Sequence, residues 1–158
     1  MNEKEIIEFE SDFTQLPRDI VLELINATNS SGVTVKDVSL GIPYPFDNLD
    51  YGTNTALEVV GKEGKMAGTL TVYYNRVHMS EIVDGIDKTF YIKESCRLSS
   101  LMSGFNSRYA LNVQPEDYFD QNILTHGYGT GDTFSVPFIA KPDSYVWVGE
   151  TTLDMKIL

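Results

Sequence analysis

Two stretches of this chain share three identical residues at a constant offset of 80 positions. The first, residues 25–38, reads INATNSSGVTVKDV, and the second, residues 105–118, reads FNSRYALNVQPEDY. The matched pairs are Asn26 with Asn106, Val33 with Val113, and Asp37 with Asp117. In both stretches a helical pattern ends at polar residues and is followed by a short turn. This correspondence predicts one structural module used twice.

The residues around each stretch predict a helix and its end. In the first half an apolar stripe recurs at spacings of three and four, typical of the buried face of a helix. Its members are Phe13, Leu16, Ile20 and Leu24. Gly32 is predicted as the left-handed residue that closes this helix, with Asn112 as its counterpart after the second helix. Ser95 is predicted as the N-cap of that second helix.

Each half is predicted to continue into two strands, because β-branched and aromatic residues follow in alternating runs. The predicted strands cover residues 54–62 and 68–79 in the first half, and residues 133–140 and 144–158 in the second. The segment 42–52 contains two prolines and is interpreted as a connector. Residues 88–93, KTFYIK, predict one further strand before the second helix.

The expected fold class is therefore α+β, with two related modules that each pack a helix on a small antiparallel β-sheet. Residues 1–10 are assigned to an N-terminal arm, residues 11–82 to module 1 and residues 83–158 to module 2.

The charge and cysteine content limit the possible functions. The formal net charge is −11 and the sequence pI is about 4.4, which argues against nucleic-acid binding because phosphate contacts need clustered lysine and arginine. The one cysteine excludes a disulfide within the chain. No apolar run approaches the ~20 residues of a membrane helix, and synthesis in a cytoplasm is expected.

No motif predicts an enzyme, a metal site or a cofactor site. The histidines, His78 and His126, show no metal-binding spacing. The glycines of GYGTGD, residues 127–132, precede a predicted strand, whereas phosphate loops open onto a helix. Cys96 lies near the start of the second helix without a histidine close in sequence. A non-enzymatic protein without cofactor or metal is expected.

Aromatic and apolar residues supply the candidate interface. Tyr73, Tyr145 and Trp147 lie on predicted strands, where aromatic side chains serve either a protein contact or the core. In the arm, Ile6, Ile7 and Phe9 stand among glutamates and are expected to dock on a neighbouring subunit by strand addition.

The runs LINATNSSGVTVKDVSLGIP and NTALEVVGKEGKMAGTLTVYYNRV resemble a largely uncharacterised domain family of tailed-bacteriophage structural proteins. The run LMSGFNSRYALNVQPEDYF resembles the companion module of that family, although Ala110 stands where that module usually has glycine. The resemblance covers roughly residues 13–158.

The resemblance implies a virion component present in many copies, which contacts other virion proteins such as the major capsid protein or further copies of itself. A capsid decoration protein is the first expectation, and neck, tail and baseplate positions remain open. The alternative is a tail or fibre module that binds a host glycan or receptor, in which Tyr73, Tyr145 and Trp147 would be exposed as stacking platforms.

Overall fold

The structure is a computed structural model that describes residues 11–48 and 52–158. The predicted arm, residues 1–10, lies outside the described residues. The fold is mixed α+β, as the sequence predicted, with several small sheets that are mainly antiparallel. The chain divides into unit 1, Met1–Arg76 with Pro142–Val146, and unit 2, Val77–Lys141 with Trp147–Leu158.

Unit 1 places one helix against a four-stranded antiparallel sheet. Its described elements are α1 Pro17–Asn29, β1 Val38–Leu40, β2 Tyr44–Asn48, β3 Thr53–Gly61 and β4 Thr69–Tyr74. β3 pairs with β4 along one edge and with β1 and β2 along the other. The apolar face of α1 joins inward residues of β3 and β4 in a single core cluster, and burial of that face supplies most of the helix stability.

α1 starts and ends for local chemical reasons. Pro17 occupies the first turn, where its missing N–H is not needed. The helix closes at Ser30, which has a left-handed φ of 50°, so the prediction of Gly32 was wrong by two residues. The Asn26 side chain explains the earlier stop, because its Oδ1 accepts hydrogen bonds from the Ser31 hydroxyl and the Val33 N–H.

Unit 2 contains more, shorter elements. Its described helices and strands are β5 Val77–His78, α2 Met79–Ile82, β6 Thr89–Ile92, β7 Cys96–Arg97, α3 Met102–Tyr109, β8 Asn122–Ile123, β9 Thr133–Ile139, β10 Trp147–Val148 and β11 Glu150–Ile157. Two 3-10 turns, Leu98–Leu101 and Pro115–Asp117, precede and follow α3. β11 is central to a three-stranded sheet, antiparallel to β9 and parallel to β6.

Two details of the second helix differ from the sequence prediction. Ser95 is not its N-cap, because β7 and a 3-10 turn intervene and the Ser95 hydroxyl instead contacts that of Thr125 at 3.0 Å. The left-handed residue after the helix is Ala110, with φ 53°, and not Asn112. A non-glycine residue in this conformation costs about 1–2 kcal/mol, and surrounding hydrogen bonds must offset that cost.

The two helix stops use the same hydrogen bonds. Asn26 donates to the Val33 carbonyl at 2.9 Å and accepts from the Val33 N–H at 2.8 Å. Asn106 donates to the Val113 carbonyl at 3.0 Å and accepts from the Val113 N–H at 2.9 Å. In each unit the asparagine amide thus bonds to both backbone groups of the valine across the turn. The two turns that lie 80 residues apart in the sequence therefore have the same hydrogen-bond geometry.

The hairpins that follow also correspond in register. Leu57 of β3 pairs with Val72 of β4, and Val136 of β9 pairs with Leu153 of β11. β4 and β11 each follow a glycine of positive φ, Gly68 at 96° and Gly149 at 75°. β3 and β4 of unit 1 thus have the positions that β9 and β11 have in unit 2.

Substitution of Gly149 by alanine is expected to destabilise the protein by about 1–3 kcal/mol. The residue has a φ of 75°, and an added Cβ would overlap the imidazole ring of His78. Urea unfolding followed by the fluorescence of the buried Trp147 measures the change.

Gly104→Ala is the matched control, because a Cβ on this helical residue meets open space. Alanine there is expected to stabilise by about 0.5–1 kcal/mol. A Gly149→Ala protein as stable as the parent would contradict the contact with His78.

Candidate interaction surface

The structure separates the aromatic residues singled out in the sequence. Tyr73 is half-buried on β4, and Tyr145 is half-buried with its hydroxyl donating to the Gly41 carbonyl at 3.2 Å. Trp147 is only 2% exposed, so the expectation of an exposed stacking platform was wrong for this residue. Ile6, Ile7 and Phe9 lie outside the described residues.

Three aromatic side chains form what we call the aromatic patch on the sheet face of unit 1 that points away from α1. The patch consists of Tyr44 and Phe46 of β2 and Tyr73 of β4. Tyr44 and Tyr73 both pair with Ala56 of the intervening β3. The rings of Phe46 and Tyr73 are 5.1 Å apart between centroids, and Tyr44 and Phe46 remain 44% and 39% exposed.

The matching sheet face of unit 2 is more polar, although it carries one exposed tyrosine, Tyr91 of β6, which pairs with Lys156. Asp154 of β11 occupies the position of Tyr73 and accepts a 2.7 Å hydrogen bond from the Ser135 hydroxyl. On the same face Lys88 donates to the Thr152 hydroxyl at 2.9 Å. Because the strand registers match, this contrast comes from side-chain choice and marks the unit 1 face as the more apolar surface.

Sequence reasoning missed Tyr44 and Phe46 because the segment 42–52 was interpreted as a connector. The structure shows a strand, β2, over Tyr44–Asn48. Pro43 and Pro45 alternate with Ile42 and Tyr44, and proline is tolerated on an edge strand where its missing N–H faces away from the partner. That alternation was the available signal for an edge strand with aromatic residues on one face.

Arg76 ties the segment 142–146 to the rest of unit 1. Its guanidinium is buried, with the residue 4% exposed, and donates to the Thr55 hydroxyl at 2.9 Å. It also donates to the backbone carbonyls of Pro142 at 2.7 Å and Ser144 at 3.0 Å. A single side chain thus supplies donors to two carbonyls of one short segment.

Tyr74 makes a second buried contact to this segment. Its hydroxyl donates to the Tyr145 carbonyl at 2.7 Å, and burial raises the pKa of Tyr74 above its ordinary value of 10.0. The nearby Arg76 charge opposes this shift without cancelling it. The phenol is therefore held in its neutral, donating form.

Stability is expected to fall as the pH rises above about 10. The folded-state pKa of Tyr74 is raised above the unfolded value, so its contribution is fully present below pH 10 and decreases as pH rises toward the folded pKa. One such group contributes about 1 kcal/mol of loss between pH 10 and 11. Urea unfolding at both pH values, compared with Tyr74→Phe, isolates the contribution.

Tyr91→Phe is the control, because Tyr91 is exposed on β6. The slope of the free energy of unfolding against pH should be shallower for Tyr74→Phe than for the parent protein. Equal slopes for Tyr74→Phe and the parent would contradict the raised pKa of Tyr74.

Unit 1 also contains an apolar cavity of about 400 Å³ between the end of α1 and the β3–β4 hairpin. Ile25, Val38, Val59 and Leu70 line it, together with the loop at Met66. Three positions of unit 2 that match Ile25, Val38 and Val59 carry Phe105, Tyr118 and Phe138, whose rings pack against one another. The cavity therefore lies where unit 2 has larger side chains.

The residues that the sequence analysis examined as possible catalytic, phosphate-binding or metal-binding groups lie in local structural contacts. His78 caps α2 by accepting from the Ser80 N–H, and its ring nitrogen lies 2.7 Å from the Ser80 hydroxyl. In the glycine loop, the Gly129 N–H donates to the Asp132 carboxylate at 2.7 Å. Cys96 is half-buried in β7. Among residues 11–48 and 52–158, no three His, Cys, Asp or Glu side chains group as metal ligands.

Comparison with known protein families gives a match over most of the chain. A family model described as "Family of unknown function (DUF7941)" matches residues 11–157. No curated protein and no solved structure matches the chain. Within the described part of the chain, no helix is long and apolar enough to cross a membrane.

Proposed function

Because the chain belongs to this family of unknown function (DUF7941), we propose its role from its geometry and its resemblance to phage structural proteins. The proposed role is that of a non-enzymatic virion structural protein of a tailed bacteriophage, present in many copies. The observation that carries the proposal is the aromatic patch, since exposed aromatic side chains grouped on one sheet face are typical of protein contacts.

We place the protein on the capsid as a decoration protein. Each copy would add its aromatic patch to the shell surface, against the major capsid protein or a neighbouring copy. An acidic surface, with a net charge of −11, suits docking on a basic partner. A protein at the neck, tail or baseplate would use the same aromatic contact, but it would be present in fewer copies per particle.

We further propose that the two units arose as one module used twice. The matching side-chain bonds of Asn26 and Asn106 and the matching hairpin registers support this relation. On this reading unit 1 acquired the aromatic patch as its docking surface, while unit 2 kept a more polar sheet face.

The test of location is the copy number of this chain in purified particles, measured by mass spectrometry against the major capsid protein. A ratio near one, or a simple fraction of it, supports a shell protein. A handful of copies moves the protein to the neck, tail or baseplate, and complete absence from particles overturns the structural role.

The docking surface is tested by Phe46→Ser combined with Tyr73→Ser. Loss of the two rings should lower incorporation into particles without unfolding the protein, as checked by circular dichroism. Tyr91→Ser removes an exposed tyrosine from unit 2 and is the control. Equal incorporation of both variants would reject the aromatic patch as the contact.

A second candidate function is recognition of a host glycan by a tail or fibre module. The exposed faces of Tyr44 and Phe46 favour it, because sugar rings stack on aromatic side chains. The two functions separate on copy number and on binding of the purified protein to host cells, which only the second requires.

A further inference from the structure

One charged side chain lies within the outer face of the unit 1 sheet. Ala56, Glu58 and Val60 of β3 alternate with the buried core residues Leu57 and Val59, so they point to the face that carries the aromatic patch. Ala56 pairs with two members of that patch, and Val60 is 41% exposed. Glu58, which is exposed, therefore has apolar surface on both sides along the strand.

The neighbours of Glu58 across the sheet are small. Thr71 pairs with it on β4, and on the other side the Gly41 N–H donates to the Glu58 carbonyl at 2.8 Å. The Tyr145 hydroxyl donates to the Gly41 carbonyl and holds this backbone in place. A Cβ on Gly41 would lie 3.6 Å from the Glu58 Cβ, so glycine keeps that side of the glutamate free of a side chain. The carboxylate is therefore accessible to a group that approaches the outer face.

The sheet itself supplies no cation to this carboxylate. Its strands contain no lysine, arginine or histidine in Val38–Leu40, Tyr44–Asn48, Thr53–Gly61 and Thr69–Tyr74. The ion pairs found within residues 11–48 and 52–158 do not involve Glu58. In the loop between β3 and β4, the Lys62 ammonium donates to the Val35 carbonyl. A cation that pairs with Glu58 must therefore come from outside this sheet.

A protein that covers the aromatic patch also takes Glu58 out of water. Removal of a carboxylate from water is strongly unfavourable unless a cation pairs with it. The partner must therefore bring a positive charge to this position. A second copy of the chain, docked face to face through the same surface, would bring another Glu58 instead, and its net charge of −11 would add repulsion.

The rings beside Glu58 favour arginine over lysine as that cation. Tyr44 and Tyr73 both pair with the residue two positions before Glu58, so they lie diagonally from it, at the ~7–8 Å that long side chains can span. A guanidinium can donate two hydrogen bonds to a carboxylate and also lie flat on an aromatic ring. Unit 2 contains such a contact, because the Arg108 guanidinium lies 4.0 Å from the centre of the Phe90 ring.

We propose that Glu58 and the aromatic patch together bind an arginine side chain on the surface of a basic protein partner, and not a second copy of this chain. The guanidinium pairs with the Glu58 carboxylate and stacks on the ring of Tyr44 or Tyr73. Apolar side chains around that arginine cover Phe46 and Val60. This inference rests on the proposed role of the aromatic patch as a protein contact and adds the chemistry of the partner.

The test is an NMR titration of the full, isotope-labelled chain with a blocked tripeptide, acetyl-Leu-Arg-Leu-amide. Saturable shifts are expected at the amides of Glu58 and of its neighbours on β3 and β4. The same peptide with citrulline, which keeps the size of arginine and lacks its charge, should bind about tenfold more weakly, because hydrogen bonds between charged groups are the stronger ones. The peptide with lysine should bind about threefold more weakly, since it loses the ring contact.

Glu58→Gln should weaken binding of the arginine peptide about tenfold. Glu150→Gln, which changes an exposed glutamate on β11 of unit 2, is the matched control and should bind as the parent does. Equal losses in the two variants, equal affinity for the citrulline peptide, or shifts spread over both units would overturn the site.

The same spectra test the choice of partner. Shifts of the Glu58 and Tyr73 amides that grow with protein concentration, without peptide, would identify a second copy as the occupant and overturn the proposal. The titration uses the purified protein, so its failure is distinguishable from failure of the proposed virion role, which the copy number in particles decides.

Discussion

Arg76→Met is expected to lower the free energy of unfolding by about 3–5 kcal/mol. The substitution keeps most of the buried volume but removes the donors to the Thr55 hydroxyl and to the carbonyls of Pro142 and Ser144. A buried acceptor left without a donor costs about 1–3 kcal/mol. The three lost hydrogen bonds together account for the size of the effect.

Chemical unfolding of the variant and the parent protein measures this loss. Hydrogen exchange should also show faster exchange of the amides in residues 142–146, because Arg76 holds that segment. Arg76→Lys should fall between the two proteins, since an ammonium keeps the charge without the planar geometry that reaches several acceptors.

Arg18→Met is the matched control. Arg18 lies on α1 with its side chain 55% exposed, 3.6 Å from the Asp19 carboxylate, and such surface pairs contribute about 0–1 kcal/mol. Similar stability losses for Arg18→Met and Arg76→Met would show that the buried hydrogen bonds of Arg76 do not stabilise unit 1.

Asn106→Ala is expected to destabilise the protein by about 2–4 kcal/mol. The amide makes paired hydrogen bonds to the Val113 N–H and carbonyl, and Val113 itself is buried. The turn that these bonds close also holds Ala110 in its left-handed conformation. Alanine at residue 106 would leave the backbone groups of Val113 without these partners.

Asn26→Ala should give a comparable loss, because Asn26 bonds to Val33 in the same way. Asn106→Asp should lie between alanine and the parent, since a carboxylate keeps the acceptor and loses the donor. Asn122→Ala, at an exposed position on β8, is the control. A loss below about 0.5 kcal/mol at both Asn26 and Asn106 would contradict the role of the amides in ending the helices.

The turns that end the two helices could be located from the sequence, but the left-handed residues within them could not. The sequence offset located both turns correctly, because Asn26 and Asn106 act within a few residues of themselves. The left-handed residues were misplaced at Gly32 and Asn112, since conformational preference alone favours glycine and asparagine. The asparagine side chains instead close the helices at Ser30 and Ala110 and offset the strain of non-glycine residues there.

The sequence likewise predicted the long hairpin strands but not the short edge strand β2. Alternating patterns located the β3–β4 and β9–β11 hairpins, because inward and outward side chains must alternate on a sheet that buries one face. The short strand β2 was missed, because two prolines outweighed its aromatic residues in a local interpretation. Its pairing with β3 supplies the hydrogen bonds that make an edge strand of this segment.

The sequence by itself determined the α+β class, the two matching turns and the main hairpins, because these depend on interactions between residues close in the chain. The tertiary structure alone decided which aromatic rings face solvent, since Trp147 is buried while Tyr44 and Phe46 are exposed. It also decided that Arg76 binds a segment more than 60 residues later in the chain. Burial and long-range hydrogen bonds depend on residues that only folding brings together. Local sequence patterns therefore do not predict them.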